Sequence, residues 1–162
     1  MRKGGSFIMF LEMRRGDRAL TEEQAVQLLE EGQYGILSLT GETGYAYGVP
    51  LNYAYRDGHI YFHGAREGNK LDHIAFNNKV SFCVVGKTSP LPEKFSYRYE
   101  SVIVFGRASE VSGQEKRDAL LALVEKYSSD FMEKGLAYIQ KDTGKTIVIR
   151  IDIDHMTGKG QS

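Results

Sequence analysis

The sequence predicts an α+β protein in which β-strands dominate, folded as an antiparallel β-barrel with flanking helices. About six segments alternate apolar and polar residues with the two-residue period of strands. Most of these segments are joined by short, turn-rich connections, which favours antiparallel neighbours. Segments with helical period stand at the start, in the middle and late in the chain. Closure of the strands into a barrel would remove exposed sheet edges, so we expect a closed arrangement.

Length and composition exclude several classes of function. The 162 residues fit one domain, 1–162, of which residues 1–14 form a loose N-terminal arm. Lys and Arg number 21 and balance 21 Asp and Glu, so no net charge attracts nucleic acid or an anionic membrane. The apolar stretch 7–11 is far shorter than the roughly 20 residues that span a bilayer. Because the single cysteine, Cys83, fits a reducing compartment, we expect a cytoplasmic protein whose partner is a small molecule or another protein chain.

The first predicted element is a helix. Thr21 and Gln24 have the spacing of a capping box, in which each side chain binds a free backbone amide at the start of a helix. The apolar residues that follow lie on one helical face, and Gly32 is typical of a helix end. Residues 34–39 then show the period of a strand.

A β-hairpin is predicted next. Residues 45–55 have strand period, and Asp57-Gly58 is typical of a type I′ turn because both central residues need positive φ. Residues 59–63 are therefore predicted to return antiparallel to residues 51–55. The two strands would share one ladder.

Helices and strands alternate in the second half. Residues 67–77 return to helical spacing, while 80–85 and 101–111 are rich in β-branched and aromatic residues, which favour strands. Between these strands, residues 87–99 carry two of the three prolines, which predicts a long surface loop over a sheet edge or a site mouth. Cys83 lies within the strand 80–85 and is predicted to belong to the core.

Two helices and a final strand complete the chain. Ser112 and Glu115 form a second capping box, which predicts a helix start, and residues 130–140 have the pattern of another short helix. Along residues 147–154, four isoleucines alternate with mostly charged residues, which predicts a strand with one apolar face and one mostly charged face. The helix after Ser112 would turn four apolar side chains inward: Ala119, Leu120, Leu123 and Val124.

No motif supports metal, hydrolase or nucleotidase chemistry. The four histidines are scattered, without a spacing that ligates a metal, and the single cysteine adds no ligand pair. The sequence contains neither a nucleophile elbow nor a P-loop. We therefore predict no metal site.

A strand–loop–helix corner is the sharpest local signal. Residues 60–71 run from a strand through a loop of small residues into a helix. Loop amides and the positive end of a helix bind phosphate groups, and Lys70 in the first turn adds a positive charge. A phosphomonoester suits such a corner. The alternative is that the glycines only connect two elements.

Pro50 interrupts the strand-like run 45–55. Its missing amide proton cannot join a ladder, so the backbone here is predicted to be irregular or to face a ligand. A planar heterocycle could then accept hydrogen bonds from the amides of Val49 and Leu51 and bind Asn52. Together with the corner, this run predicts a ligand whose phosphate lies at Lys70 and whose ring lies on the backbone of 49–52.

Several blocks of sequence carry a resemblance to a known family. They are residues 35–38, 44–53, 57–63, 68–71, 80–85 and 100–106. In this order they resemble the FMN-binding split-barrel proteins related to pyridoxamine 5′-phosphate oxidase, and within them the nitroimidazole-resistance, or nitroimidazole-reductase-like, branch. The resemblance covers nearly all of residues 15–159. It implies a six-stranded antiparallel split β-barrel that forms a homodimer, with flavin mononucleotide (FMN) at the subunit interface.

The resemblance also implies roles for individual residues. FMN would be bound at the matching positions: Tyr47, Val49, Pro50, Leu51, Asn52, Phe62, His63, Gly64, Asn69, Lys70, Ser101 and Lys159. Ser101 replaces the glutamine of the oxidases, and Lys159 would reach the flavin of the partner subunit. His63 would be the catalytic residue, as a proton donor to the substrate, or would only hydrogen-bond the cofactor or the backbone.

Different functions fit this resemblance. The main prediction is an FMN-dependent oxidoreductase that reduces a small nitroimidazole- or nitroaromatic-like molecule. The alternatives are a non-catalytic FMN- or haem-binding protein, with His63 or His155 as haem ligand, and a pyridoxamine 5′-phosphate oxidase-like enzyme. That enzyme needs an Arg-x-His pair near the C-terminus, where this chain has Arg150-Ile151-Asp152. The ending Met156-Thr157-Gly158-Lys159 instead resembles the nitroimidazole branch.

Overall fold

The computed structural model describes residues 10–141 and 144–161. Within these ranges the strands are Gly35–Thr40 (β1), Ala46–Leu51 (β2), Ala54–Arg56 (β3), His59–Ala65 (β4), Lys79–Leu91 (β5), Ser96–Val111 (β6) and Thr146–Gln161 (β7). The α-helices there are Glu22–Glu31 (α1), Asn69–Phe76 (α2), Gly113–Tyr127 (α3) and Met132–Gln140 (α4). None of the helices in these ranges has the length and apolar character of a membrane crossing. Of the arm predicted at residues 1–14, residues 1–9 lie outside the described ranges.

The strands form one antiparallel sheet in the order β2-β1-β5-β6-β7-β4-β3. This confirms the predicted β-dominated α+β fold, but in the described part of the chain the sheet has seven strands rather than six, and no ladder closes it. The extra strand arises because residues 45–55 do not form a single strand. Leu51 ends β2, paired with β1, and Ala54 begins β3, paired with β4.

The two edge strands of the sheet are neighbours in the chain. Only Asn52 and Tyr53 join β2 to β3, and each residue of chain reaches at most about 3.6 Å. The sheet must therefore curl until its two edges approach each other. The result is an open barrel with a split along one side.

The inside of the barrel holds the main core. Ile147, Ile149 and Ile151 of β7 are buried there, as the alternation along this strand predicts. Burial of such side chains contributes about 1.5–3 kcal/mol each. Val148 on the opposite face is also buried, because α3 packs on it through Ala119. Val148 is the apolar member of the face that the sequence predicts to be mostly charged.

Helix α1 begins at the predicted capping box. The Gln24 amide donates to the Thr21 hydroxyl at 3.3 Å, and the Thr21 amide donates to the Gln24 side chain at 2.9 Å. Ala25, Leu28 and Leu29 on one face of the helix join the barrel core. Helix α1 thereby covers part of the core from outside.

Helix α3 also begins where the sequence predicts, but its capping box does not form. Ser112 is the N-cap residue, yet its side chain makes no cap hydrogen bond. Glu115 instead accepts hydrogen bonds from the Tyr61 hydroxyl at 3.1 Å and from the Arg150 guanidinium at 2.9 Å. Burial, together with the Glu115 bond, raises the pKa of Tyr61 to about 12. The charge-assisted hydrogen bond between Glu115 and Arg150 is stronger than an exposed bond from a backbone amide to Glu115 would be. It also anchors α3 on the barrel.

Residues 87–99 form a β-hairpin rather than the predicted surface loop. Strands β5 and β6 continue to pair as far as Leu91 and Ser96, beyond an irregularity between Val85 and Thr88. Pro90 is tolerated in this arm because β1 pairs with β5 only at residues 81–83. The arm is therefore exposed, as predicted, but it is regular.

The predicted position of Cys83 in the core is wrong. Alternation along β5 turns Phe82 and Val84 into the barrel and Cys83 toward the outside, where it is half-buried. Burial raises the pKa of its thiol, which makes the thiol a poorer nucleophile at neutral pH.

Candidate functional site

The sheet remains open between its two edges, where strand pairing ends. Strand β3 pairs with β4 only at residues 59–61, so 63–65 pair with β7 on one side and with no described strand on the other. The outer edge of β2 is likewise unpaired within the described ranges. We call the gap between these two edges the split. Asn52 stands at its closed end, because the β3–β4 register, continued by two residues, sets Asn52 opposite His63.

Strand β2 offers the split mainly its backbone edge. The side chains of Tyr47, Val49 and Leu51 turn inward and pack against the core. Pro50 pairs in register with Ile36 and lies in an edge strand, which is where a sheet tolerates proline. The hydrogen bonds predicted from Val49 and Leu51 to a ring would therefore come from the backbone of an edge strand.

Strand β4 turns His63 outward and keeps Phe62 inside. Phe62 is 1% exposed and belongs to the core, so only its backbone is available to a ligand. His63 faces a cavity that it shares with Asn52. Partial desolvation lowers the pKa of the exposed His63, which favours its neutral imidazole at neutral pH. Gly64 follows, with open space where a Cβ would stand.

Helix α2 begins at the predicted strand–loop–helix corner. Gly68 is its N-cap residue, its φ of 124° favours glycine, and no side chain caps the first amides. Uncapped amides at the positive end of a helix attract an anion. Asn69 and Lys70 lie in this turn with Lys70 half-buried, while the acidic Asp72 is exposed. The corner thus has the donors and the positive charge that suit a phosphate group.

Helix α2 also connects the two edges of the split. It follows β4 in the chain, and its His73 ring lies 5.0 Å from the Tyr47 ring of β2. In the loop before the helix, Arg66 donates to the Gly144 carbonyl and pairs with Glu110 at 3.8 Å. These contacts hold the corner against β2 on one side and against the start of β7 on the other.

Ser101 and Lys159 lie on β6 and β7, and β5 and β1 separate β6 from β2. The two residues are direct neighbours in the β6–β7 register. His63 pairs with Val148 on β7, and the stretch of strand from there to Lys159 is roughly 35 Å long at about 3.3 Å per residue. The ammonium of Lys159 lies instead 5.8 Å from the Tyr99 ring centroid. Neither residue is paired with β2 or β4, the strands that border the split.

The crossover of Asn52 and Tyr53 is held by α3, which the sequence does not predict. The Tyr53 amide donates to the Tyr127 hydroxyl at 3.1 Å, and that hydroxyl oxygen lies 2.9 Å from the carbonyl oxygens of Tyr53 and Gln33. The Lys126 ammonium lies 4.0 Å from the centre of the Tyr53 ring. Burial lowers the pKa of Lys126 to about 8. The end of α3 thus fixes the backbone next to Asn52.

A cavity of ≈ 230 Å³ opens beside the split. Its described lining is Asn52, His63, Leu120, Leu123, Val124, Tyr127, Ser128, Tyr138, Ile139 and Thr146. The apolar stripe predicted for α3 supplies three of these side chains. Helical spacing indicates that the stripe faces inward, but it carries no information on whether the opposite wall fills the space.

An apolar face lies on the outside of β1, β5 and β6. Ile36, Cys83 and Ile103 stand in one row across these strands, because they pair in register. Val85 and Phe105 flank the row on β5 and β6. Ile36, Val85, Ile103 and Phe105 are 39–52% exposed. We call these five residues the outer apolar face, and a contiguous apolar surface of this kind is typical of an interaction site.

The sequence matches a model of a known protein family. The model, described as pyridoxamine 5′-phosphate oxidase, matches residues 21–160. The chain therefore belongs to the pyridoxamine 5′-phosphate oxidase family, which confirms the resemblance that the sequence blocks indicate. No curated protein sequence matches this chain significantly.

Solved structures with different ligands share the fold. A proposed 5-nitroimidazole antibiotic resistance protein from Bacteroides thetaiotaomicron has a TM-score of 0.72 and 23% identity, with 87% of this chain and 85% of that chain covered. An FAD-binding protein from Mesorhizobium loti has a TM-score of 0.65 and 25% identity, with 90% and 98% covered. The heme storage protein HutZ from Vibrio cholerae has a TM-score of 0.62 and 12% identity, with 83% and 92% covered. The fold alone therefore does not indicate whether this chain binds flavin or haem. The residues of the site have to decide between the two.

Proposed function

We propose that this chain binds FMN in the split and, as a homodimer, reduces small organic molecules of the nitroimidazole or nitroaromatic class. The observation that carries this proposal is the set of elements around the split. They are the β2 backbone edge ending at Asn52, residues 63–65 of β4, and the first turn of α2 with Lys70. The backbone edge of β2 is complementary to a ring, and the unpaired residues of β4 are complementary to a linker. The cationic start of α2 is complementary to a phosphate.

The chemistry of these residues suits FMN. The uncapped α2 amides and Lys70 would bind the phosphate, while the β2 backbone at Val49 and Leu51 would hydrogen-bond the ring. Asn52 at the closed end of the split would fix the ring orientation. Bound FMN, once reduced by an external donor such as a reduced nicotinamide, supplies an electron pair and a pair of protons that convert a nitro group to a nitroso group and water.

His63 would assist the reduction by hydrogen bonding. Its lowered pKa favours the neutral imidazole, and a neutral imidazole retains one N–H donor. A nitro oxygen that gains electron density would accept this hydrogen bond, which would stabilise its developing negative charge, while both protons of the step come from reduced FMN. If His63 instead bonds only the cofactor or the backbone, the turnover of FMN-loaded protein is unchanged in His63→Ala.

The outer apolar face supports the homodimer. Water-exposed apolar side chains in the middle of a sheet are stabilised when a second copy covers them. A symmetric partner packed there would bring its own Ser101 and Lys159 to the interface, since both lie on β6 and β7 next to the face. Their predicted contact with FMN would then come from the partner subunit.

The pyridoxamine 5′-phosphate oxidase alternative is disfavoured by the surroundings of Arg150. Its guanidinium contacts Glu115 at 2.9 Å and Asp152 at 2.8 Å, and His59 lies 3.0 Å from the same aspartate. These carboxylates already neutralise the arginine. A substrate phosphate would have to displace both of them before it could be gripped there.

Spectroscopy of the purified protein separates the remaining alternatives. We expect a flavin band in the blue, FMN identified by mass spectrometry after heat release, and reoxidation of anaerobically reduced protein by a nitroaromatic. A Soret band on purification would instead indicate haem, for which His63 is the better candidate because the His155 ring stacks on Phe10 at 4.6 Å. Bound FMN that no nitroaromatic reoxidises would leave only the non-catalytic alternative.

A further inference from the structure

The cavity beside the split has a consistent chemical character. Its described lining contains no Asp, Glu, Lys or Arg. Leu120, Leu123 and Val124 of α3 form one wall and Ile139 of α4 faces them. A carboxylate or phosphate buried here would find no cation among these residues, which is costly. The cavity is therefore suited to an uncharged molecule.

Several polar side chains line the cavity: Ser128, Tyr138 and Thr146 contribute hydroxyls, and two further side chains lie on the barrel side. Asn52 and His63 lie there, at the closed end of the split. The Tyr127 hydroxyl adds little, because it is already engaged with backbone atoms of Tyr53 and Gln33. A ligand is thus offered a pocket that is mostly apolar along α3 and α4, with an amide and an imidazole at the end next to the split.

The volume limits the size of the ligand. At ≈ 230 Å³ the cavity is smaller than the pockets that take drug-sized molecules, which begin at about 300 Å³. A dry apolar cavity of about 150 Å³ is already sufficient to bind benzene in another protein. One six-membered or five-membered ring with one or two small substituents fits these limits.

We propose that this cavity binds a small, uncharged aromatic molecule, with its ring between Leu120 and Ile139 and its polar substituent toward Asn52 and His63. The role of that molecule as the electron acceptor rests on the proposed function, whereas its binding does not. Within the nitroaromatic class, the cavity selects neutral members and rejects carboxylated or phosphorylated ones.

Nitrobenzene and 4-nitrobenzoate test the proposal, because they share a ring and a nitro group and differ by one negative charge. Their dissociation constants are measured by isothermal titration calorimetry with the full chain, both loaded with FMN and free of it. We expect nitrobenzene to bind at least about tenfold more tightly than 4-nitrobenzoate. Equal affinities, or tighter binding of the carboxylate, would overturn the proposal.

Cavity-filling variants locate the binding site. Ile139→Phe adds volume inside the cavity and should weaken nitrobenzene binding about tenfold or more. Leu136→Phe is the matched control, since Leu136 lies on the same helix, is 43% exposed and does not line the cavity. Leu120→Phe fills the cavity from the opposite wall and decides the question if Ile139→Phe does not fold. Unchanged nitrobenzene affinity in a folded filling variant would place the ligand elsewhere and refute the proposal.

FMN affinity is measured on the same variants as a separate readout. We expect it to stay within about twofold in Ile139→Phe, because the residue lies in α4 and outside the split. Loss of nitrobenzene binding with intact FMN binding supports the cavity as the ligand site. A wild-type chain that binds nitrobenzene but not FMN would refute the proposed function and leave the cavity proposal standing.

Discussion

Lys70 is the one cation in the first turn of α2 among the described residues, and the predicted phosphate contact depends on it. The neighbouring Arg66 is already committed to the Gly144 carbonyl and to Glu110. A half-buried ammonium is screened less by salt than an exposed one, so its bond to a phosphate is comparatively strong.

Lys70→Ala should therefore weaken FMN binding about 10- to 100-fold, since a hydrogen bond to a charged group contributes about 1.5–3 kcal/mol. Quenching of flavin fluorescence on titration measures the dissociation constant. Lys94→Ala serves as the control, because Lys94 is an exposed lysine in the short helical turn of the β5–β6 arm. If both variants bind FMN like the wild type, Lys70 does not hold the phosphate.

Lys126 carries a charge in an unfavourable place. Its ammonium is buried without a hydrogen-bond partner and lies over the Tyr53 ring. Burial lowers its pKa from 10.5 to about 8. Between these two pH values the unfolded chain keeps a proton that the folded chain has released, so this group makes stability rise with pH in that window. Below it, both states are protonated and the full cost of the buried charge is present.

Lys126→Met removes the titrating group and keeps most of the packing. We expect the stability of the wild type, relative to Lys126→Met, to increase as the pH rises from 8 toward 10.5. Urea unfolding at a series of pH values measures this difference, and comparison with the variant cancels the titration of other groups. A difference that stays constant with pH would show that Lys126 is not desolvated in the folded protein.

The elements of the barrel are connected most critically between β2 and β3. At Leu51 the chain leaves one edge of the sheet and at Ala54 it joins the other, so Asn52 and Tyr53 alone determine where the split closes. Tyr53 is fully buried and its hydroxyl donates to the Leu29 carbonyl of α1 at 2.6 Å, while Tyr127 of α3 bonds its backbone. Two helices from distant parts of the sequence therefore fix one crossover.

Tyr127→Phe should destabilise the fold by about 1–3 kcal/mol, because it leaves the buried Tyr53 amide without an acceptor. It should also weaken FMN binding, since Asn52 is the next residue. Tyr97→Phe is the matched control: its side chain is 53% exposed and does not line the cavity. Chemical denaturation and FMN titration give the two readouts. A destabilised Tyr127→Phe protein that binds FMN like the wild type would mean that the crossover does not position the site.

At the level of the whole molecule, the proposed FMN site would need residues from a second chain. Ser101 and Lys159 lie on β6 and β7 and are not paired with β2 or β4, the strands that border the split, and the outer apolar face lies exposed beside them. A dimer through that face would bury the apolar surface and complete the site at once. Assembly and cofactor binding should therefore be coupled.

Ile103→Arg places a charge in the middle of the outer apolar face and should yield a monomer with weakened FMN binding. Phe131→Arg is the control, because Phe131 is also exposed, at 60%, but lies between α3 and α4. Sedimentation velocity measures the oligomeric state, and flavin titration measures the affinity. A dimeric Ile103→Arg protein, or a monomeric wild type that binds FMN fully, would contradict the proposed interface.

Sequence reasoning succeeded where neighbouring residues decide the structure. The capping box of Thr21 and Gln24, the isoleucine alternation along β7 and the corner that ends in Lys70 all depend on contacts within a few residues. It failed where distant residues compete. The capping box predicted at Ser112 does not form, because Glu115 bonds Tyr61 and Arg150 instead. These two partners are distant in sequence, so no local pattern predicts them.

The amino-acid order alone established a single β-dominated fold, its family and the segments that border the split, because periodicity, turn chemistry and short motifs are local properties. It could not establish the break between β2 and β3, the outward position of Cys83, the clamp of Tyr127 on Tyr53 or the cavity between α3 and α4. Each of these follows from burial and hydrogen bonding between residues far apart in the chain. Such contacts exist only after the sheet has curled, and the curl is a property of the whole barrel.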